Sequence, residues 1–160
     1  MSKTTISVKT YIDAQPEVCF DLARDIGIHC QTSTSTQERA IAGVTTGMIV
    51  LGETVTFEGV HFGIRQRLTA QVTQFERPHR FVDEMLQGAF QSLRHVHEFS
   101  AEGSGTEMCD TLIWTSPLGV IGKLADRLFL KSHMRRFVVE RNSKLKRIAE
   151  DIASSDTPLA

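Results

Sequence analysis

Tryptophan and tyrosine occur once each in this chain, and 160 residues hold only three cysteines and four prolines. The thiols, Cys19, Cys30 and Cys109, are odd in number and widely spaced, with no Cys-x-x-Cys pair. That removes a disulfide framework and the common zinc and dithiol spacings, so they read as reduced and mostly buried. No apolar run approaches the ~18 residues of a membrane-spanning helix. The start, Met1-Ser-Lys-Thr-Thr, has neither the apolar stretch nor the cleavage site of a signal peptide, so a cytoplasmic protein is expected. Also missing are Gly-x-Gly-x-x-Gly, a Walker loop, Gly-x-Ser-x-Gly and His-Glu-x-x-His. Those absences argue against nucleotide, serine-hydrolase and zinc-protease chemistry. Internal repeats and low-complexity linkers are lacking too, which leaves one domain, residues 1–152, and a flexible tail, 153–160.

What is present is ordinary in total and uneven in arrangement. Hydrophobic residues make up 41% and charged ones 23%, and the net charge is −1. Between Val120 and Ile148, however, nine Lys or Arg face only Asp126 and Glu140, a net +7 that leaves −8 for the remainder. The basic residues are spread around an apolar stripe and not interleaved with exposed aromatics, which argues against nucleic acid as a partner.

Residues 4–12 alternate (Ile6, Val8, Thr10, Ile12 against Thr5, Ser7, Lys9, Tyr11), the period of a strand. Pro16 and Glu17 then open a short helix reaching about Asp25. Ile26 to Thr36 reads as irregular, Gln37 to Ala42 as a short strand and Gly43 to Gly52 as a loop. From Glu53 onward the segments 53–58, 64–76, 80–87, 91–101 and 106–115 read as strands joined by short turns, hence antiparallel neighbours. After Ser116-Pro-Leu-Gly the spacing turns helical: Ile121, Leu124, Leu128, then Met134, Val138, Arg141, Leu145, Ile148 and Ile152. The stripe slips around Lys131-Ser-His, which predicts a kink or phase change there. The sum is an α+β chain: one strand, short helices, about six further strands of a curved antiparallel sheet, and a long C-terminal helix to cover it.

Strand parity identifies the covered face, because a slip of one residue moves every side chain to the other side. Closure about Glu102-Gly-Ser-Gly pairs Phe99 with Met108, His97 with Asp110, His95 with Leu112 and Leu93 with Trp114. The Gly88-Ala-Phe link places Met85 opposite Leu93, Asp83 opposite His95 and Phe81 opposite His97. Across Arg77-Pro-His-Arg, Val72 meets Asp83, Ala70 meets Met85 and Leu68 meets Gln87. The shared inner face is apolar except for Asp83, His95, His97 and Asp110. Val55 and Phe57 join it if their strand turns that way, which would also bring Glu53 inward. Ion pairs taken out of water are costly and are rarely a net source of stability, so four ionisable groups here indicate a hydrated cavity or a chemical task.

The residues Thr69-Ala-Gln-Val-Thr-Gln-Phe-Glu-Arg-Pro, Arg80-Phe-Val-Asp-Glu-Met, Gly88-Ala-Phe, His95-Val-His-Glu-Phe, Gly105-Thr-Glu-Met-Cys-Asp and Ser116-Pro-Leu-Gly resemble the SRPBCC (START and Bet v 1-like) superfamily. The likeness is to its bacterial polyketide cyclase/dehydrase-like ligand-binding branch. Asp83, Glu84, Gly88, Phe90, His95, His97, Phe99, Asp110, Pro117 and Gly119 fill the pattern; Ala89 stands where Pro is usual and Leu93 where Trp is usual. The resemblance implies a helix-grip fold: six or seven antiparallel strands wrapped around a long C-terminal helix, two short helices after the first strand, and a deep cavity between sheet and helix. Members bind lipids, sterols, polyketides, quinones and hormones, and some are cyclases or hydroxylase subunits.

The reading that results is a protein that binds a small hydrophobic ligand, lipid, quinone or polyketide-like. Its expected walls are Val55, Phe57, Leu68, Ala70, Val72, Phe81, Met85, Leu93, Phe99, Met108, Leu112 and Trp114, with Asp83, His95, His97 and Asp110 as polar anchor. The alternative is a cyclase or dehydratase using the same four as acid and base, and a third is a carrier delivering lipid or quinone to another enzyme. His95-x-His97 beside two carboxylates is a pattern that can hold zinc or iron, but the expectation is no metal and no cofactor. Phe129 and Leu130, extra to the helical stripe, suggest a transient membrane contact for lipid pick-up. His29, His61, His79 and His133 read as solvated, and the protein as a monomer or homodimer.

Overall fold

The computed structural model of the chain describes residues 3–155. The alternating segment forms β1 (Thr4–Ile12), with Ile6, Val8 and Ile12 turned inward. Helix α1 (Pro16–Ala23) starts on Pro16, whose missing N–H costs nothing in a first turn. Helix α2 (Ile26–Thr32) occupies the stretch that reads as irregular; Asp25 caps it by accepting the Ile28 N–H at 3.0 Å. Its Ser/Thr-rich end hides the helix from a periodicity test. Strands β2 (Arg39–Gly43), β3 (Thr54–His61), β4 (Ile64–Glu76), β5 (Arg80–Gln87), β6 (Ser92–Glu102) and β7 (Gly105–Thr115) follow. Helix α3 (Gly119–Ala125), one π turn (Asp126–Leu130) and helix α4 (Lys131–Ser155) complete the described chain.

All seven strands form one antiparallel sheet in the order β1-β7-β6-β5-β4-β3-β2. The parity argument holds at its central rungs: Phe99 meets Met108, His97 meets Asp110, Phe81 meets His97, Asp83 meets His95, and Val72 meets Asp83. It fails at one end. Gln87 pairs with Thr69 and not Leu68, because the register shifts between Thr69 and Ala70. A second irregularity lies between Val72 and Gln74. Such bulges add local twist and bend the strand, which helps this sheet curl around a helix. Met85 and Leu93 lie beyond the last β5–β6 rung, Glu84 with Arg94. Strand β3 resolves its ambiguity with Val55 and Phe57 buried and Glu53 exposed outside the strand.

Helix α4 crosses the concave face and buries Met134, Val138, Arg141, Asn142, Leu145 and Ala149. At its C-terminal end it clamps α1 against the sheet, where Phe20 sets its ring edge against Phe75, Phe81 and Phe99 at centroid distances of 5.3–5.4 Å. At its N-terminal end Met134 and Val138 pack on Ile6, Val8, Leu112 and Trp114. Ile26, Ile49, Val55, Phe57 and Val72 make a third cluster under the far end of the sheet.

The phase slip expected near Lys131 is the π turn just before it. One extra residue per turn rotates the following face, so Met134 and Val138 face the sheet while Ile121, Leu124 and Leu128 stay largely exposed. The long stripe is therefore two faces, and only the α4 half covers the sheet. Gly122 lets α3 close on the preceding turn, since a Cβ there would lie 1.9 Å from the Pro117 carbonyl oxygen. Helix α4 continues through Ser155, into the segment expected as tail; residues 156–160 lie outside the described residues. Among the described residues no helix is long and apolar enough to cross a membrane.

Asp126 anchors the break. Buried in the π turn, it accepts from Trp114 Nε1–H at 3.1 Å, from the Ser116 hydroxyl, and from the Thr4 hydroxyl at 2.9 Å. Asp126→Ala leaves the fully buried Trp114 N–H without an acceptor, a loss of about 2–3 kcal/mol. The expected result is a melting temperature lower by about 8 °C. A shift under about 1 °C would remove the anchoring role.

Candidate functional site

Between the concave face and α4 the apolar clusters leave a cavity of about 390 Å³. Of the expected wall, Val55, Phe57, Leu68, Ala70, Val72, Phe81, Leu93 and Leu112 line it, together with Asp83, His95 and His97. The other expected residues are elsewhere. Phe99 and Met108 are packed solid beneath α1, and Trp114 is sealed against Met134 and Val138. Met85 lies under the Gly88 turn, its Sδ filling the space a Cβ there would need. Asp110 has no exposed surface and acts from below the cavity wall.

The four ionisable groups meet, with their hydrogen bonds along diagonals and one further close contact along the His97–Asp110 rung. His95 Nε2 lies 2.9 Å from Asp110 Oδ1, and His97 Nε2 lies 3.0 Å from Asp83 Oδ1. His97 Nδ1 is 2.7 Å from Asp110 Oδ1, inside ion-pair range but off the line of a hydrogen bond. The second Asp110 oxygen accepts from Asn142 Nδ2 at 2.6 Å, and Arg141 approaches the first at 3.9 Å. The His97 ring is stacked on Phe81 at 4.1 Å and stands 3.7 Å from that of His95.

Burial opposes every charge here, and the partners decide which survive. For His97, burial would lower the pKa, but the Asp110 charge close to Nδ1 and the bond to Asp83 outweigh it and raise it. For His95, burial and the neighbouring His97 charge prevail over Asp110 and push it down to about 4. Burial would raise Asp110, yet the two histidines hold it well below the usual carboxylate range. Asp83 is likewise lowered against its burial, by the His97 bond and the charges of His95, His97 and Arg141. At neutral pH the set therefore holds Asp83 and Asp110 as anions and His95 uncharged, with His97 the histidine whose charged form the site favours.

Asp83, His95 and His97 can bring one ligand atom each within 4.8 Å of one another, a spacing suited to a metal ion. As folded, both histidine Nε2 atoms are turned to carboxylates, and the site favours the protonated form of His97. A cation would first have to displace that proton and break both bonds.

A second polar group on the cavity wall is not apparent from the sequence. Glu38 is 2.7 Å from His29 Nε2 and 3.5 Å from His61 Nε2, and His61 Nδ1 is 3.1 Å from His133 Nε2. Burial would raise Glu38, but the two histidines bring it down to about 2. Arg141 joins the groups, with NH1 3.4 Å from His29 Nδ1. Three histidines that read as solvated are thus cavity groups; only His79 of that set is exposed. One signal did exist for Arg141: it is the one charged position in the apolar stripe of α4.

No family model matches the chain, and no curated protein matches it in sequence. Solved structures do. The TTHA0849 protein of Thermus thermophilus is similar at TM-score 0.76 and 19% identity, over 96% of this chain and 100% of that one. The KanY protein, solved by NMR, is similar at 0.74 and 18%, over 94% and 99%. Major latex-like protein 151 of Panax ginseng is similar at 0.70 and 10%, over 92% and 97%. The sheet, the two short helices after β1 and the C-terminal helix are those of a helix-grip fold, which the chain shares with these proteins over 92–96% of its length.

Proposed function

We propose that the protein binds a small hydrophobic ligand, a lipid, quinone or polyketide-like molecule, between the sheet and α4. The observation that carries this is the apolar cavity of about 390 Å³ ending on the paired Asp83, His95 and His97, the usual form of a small-molecule site. The resemblance to the polyketide cyclase/dehydrase-like branch points the same way. Ala70, buried on the cavity wall, gives the test. N-phenyl-1-naphthylamine is expected to bind the wild-type chain saturably with blue-shifted fluorescence, and at least tenfold more weakly to Ala70→Phe with an unchanged far-UV spectrum. Equal binding by both chains would place the probe elsewhere and contradict the reading.

The acid–base alternative uses the same groups, but their states favour holding over turnover. His95 at about 4 is a weak base at neutral pH, and His97 keeps a proton held by two carboxylates.

A second observation favours contact with an anionic membrane during ligand exchange. Leu118 and Ile121 line the cavity and are also strongly exposed, and Val120, Leu124, Leu128 and Phe129 continue the apolar surface along α3 and the π turn. Leu130, expected to act with Phe129, instead packs on the core near Met134. Lys123, Arg127 and Lys131 are exposed beside this surface, while Asp126, the one acid there, is buried and bound. Apolar area with a cationic rim suits such a surface. Co-sedimentation with phosphatidylglycerol vesicles, absent with phosphatidylcholine and lost in Ile121→Ser/Phe129→Ser, is the expected result. Binding that ignores lipid charge or survives the double substitution removes this contact.

A further inference from the structure

Around His95 and Asp83 the cavity leaves hydrogen-bond acceptors over, while the histidine donors there are turned to carboxylates. His97 turns Nε2 to Asp83, and its Nδ1 is sealed from the cavity beside Asp110. Uncharged His95 has one N–H, and the 2.9 Å contact of Nε2 with Asp110 uses it. Its Nδ1 therefore carries a lone pair. Asp83 uses Oδ1 on His97, while Oδ2 has no partner among the described residues and the side chain is 29% exposed. Arg141 gives NH1 to His29, and its NH2 is sealed beneath the wall.

The other polar group follows the same rule. Glu38 can accept from His29 and His61, and His61 Nδ1 can then accept from His133 Nε2, which leaves the outer nitrogen of His133 as an acceptor. Protons run toward the buried carboxylates at both places, and lone pairs are left over on groups that belong to cavity-lining residues.

We infer that the ligand is a hydroxyl-bearing apolar molecule, a phenol, hydroquinone, enol or alcohol, whose O–H donates to one of two acceptors, His95 Nδ1 or Asp83 Oδ2. This rests on the cavity being the ligand site, and it separates members of the proposed class. A quinone brings only acceptors, and a fatty-acid carboxylate brings negative charge to the Asp83 carboxylate. A hydroxyl supplies the missing donor, and a hydrogen bond to an ionised acceptor is the stronger kind.

Three probes of one ring system test it at pH 7: 2-naphthol, 2-methoxynaphthalene and 2-naphthoate, each titrated against wild-type protein carrying N-phenyl-1-naphthylamine. The naphthol is expected to bind at least about tenfold more tightly than its methyl ether, with the carboxylate weakest. In His95→Phe that preference falls below about threefold while the ether keeps its affinity; Asp83→Asn reads the same loss if the first variant does not fold. Equal affinities for naphthol and ether, tightest binding by the naphthoate, or a preference that survives substitution overturns the inference and leaves the hydrophobic site standing. Failure of every probe, including the naphthylamine, overturns the proposed function with it.

Discussion

Asp110→Ala is expected to lower the unfolding free energy by about 3–5 kcal/mol, the cost of breaking a buried ion pair by removing one partner. Asp110 is fully buried and faces His97, His95, Asn142 and Arg141. Its loss leaves the His97 cation with Asp83 alone, and the Asn142 amide and His95 N–H without acceptors. Against a total stability of roughly 5–15 kcal/mol, that is a large share. Asp110→Asn keeps an oxygen for one donor but removes the charge, so it falls between wild type and alanine. Urea titrations of the three chains measure this; an alanine variant within about 0.5 kcal/mol of wild type would show that the network does not act as a unit.

Stability is expected to peak near pH 6.5 and to fall on both sides. Unfolded, His95 takes up its proton near 6.5; folded, it refuses it until about 4. Between those values the unfolded chain binds the extra proton, so acidification removes stability, by on the order of 3 kcal/mol for this group. His133, lowered by burial and by the charges of His61 and Arg136, adds to the same slope. His97 has the opposite sign. Its raised value means that the folded chain keeps a proton the unfolded chain releases above 6.5, so its stabilisation is present below 6.5 and drains as pH rises through the folded value. Below about 4.5 Glu38, brought down to about 2, and the lowered Asp83 and Asp110 add a steeper loss. Urea midpoints between pH 3 and 9 give the curve, and His95→Phe should flatten its limb between 4.5 and 6.5. A stability that climbs steadily to pH 9 would contradict the assigned charge states.

Which side chains share the concave face was legible because strand parity is rigid. Once Glu102-Gly-Ser-Gly closes a hairpin, His95, His97 and Asp110 can point only one way, and β6 and β7 pair as that requires. Depth along that face was not legible. Phe81 and Phe99 belong to the same face, yet Phe81 borders the cavity and Phe99 lies under α1, a distinction made by where Phe20 docks. Hydrogen bonding was half legible: parity brought the two Asp–His pairs together, but side-chain reach carried the bonds onto the diagonals. The Glu38, His29, His61 and His133 group was hidden because its members come from α2, β3, α4 and the turn before β2, and no local spacing links them. The bulge at Thr69 and Ala70 adds a residue that no regular period anticipates, whereas the π turn showed itself as the slip in the helical stripe near Lys131.

Native mass spectrometry of the purified protein addresses the central claim most directly. The account predicts a discrete mass excess from a bound small molecule on the wild-type chain, released by solvent extraction, carrying a hydroxyl, and absent from Ala70→Phe. A wild-type chain that stays at its bare mass after incubation with 2-naphthol and N-phenyl-1-naphthylamine, as Ala70→Phe should, would contradict it.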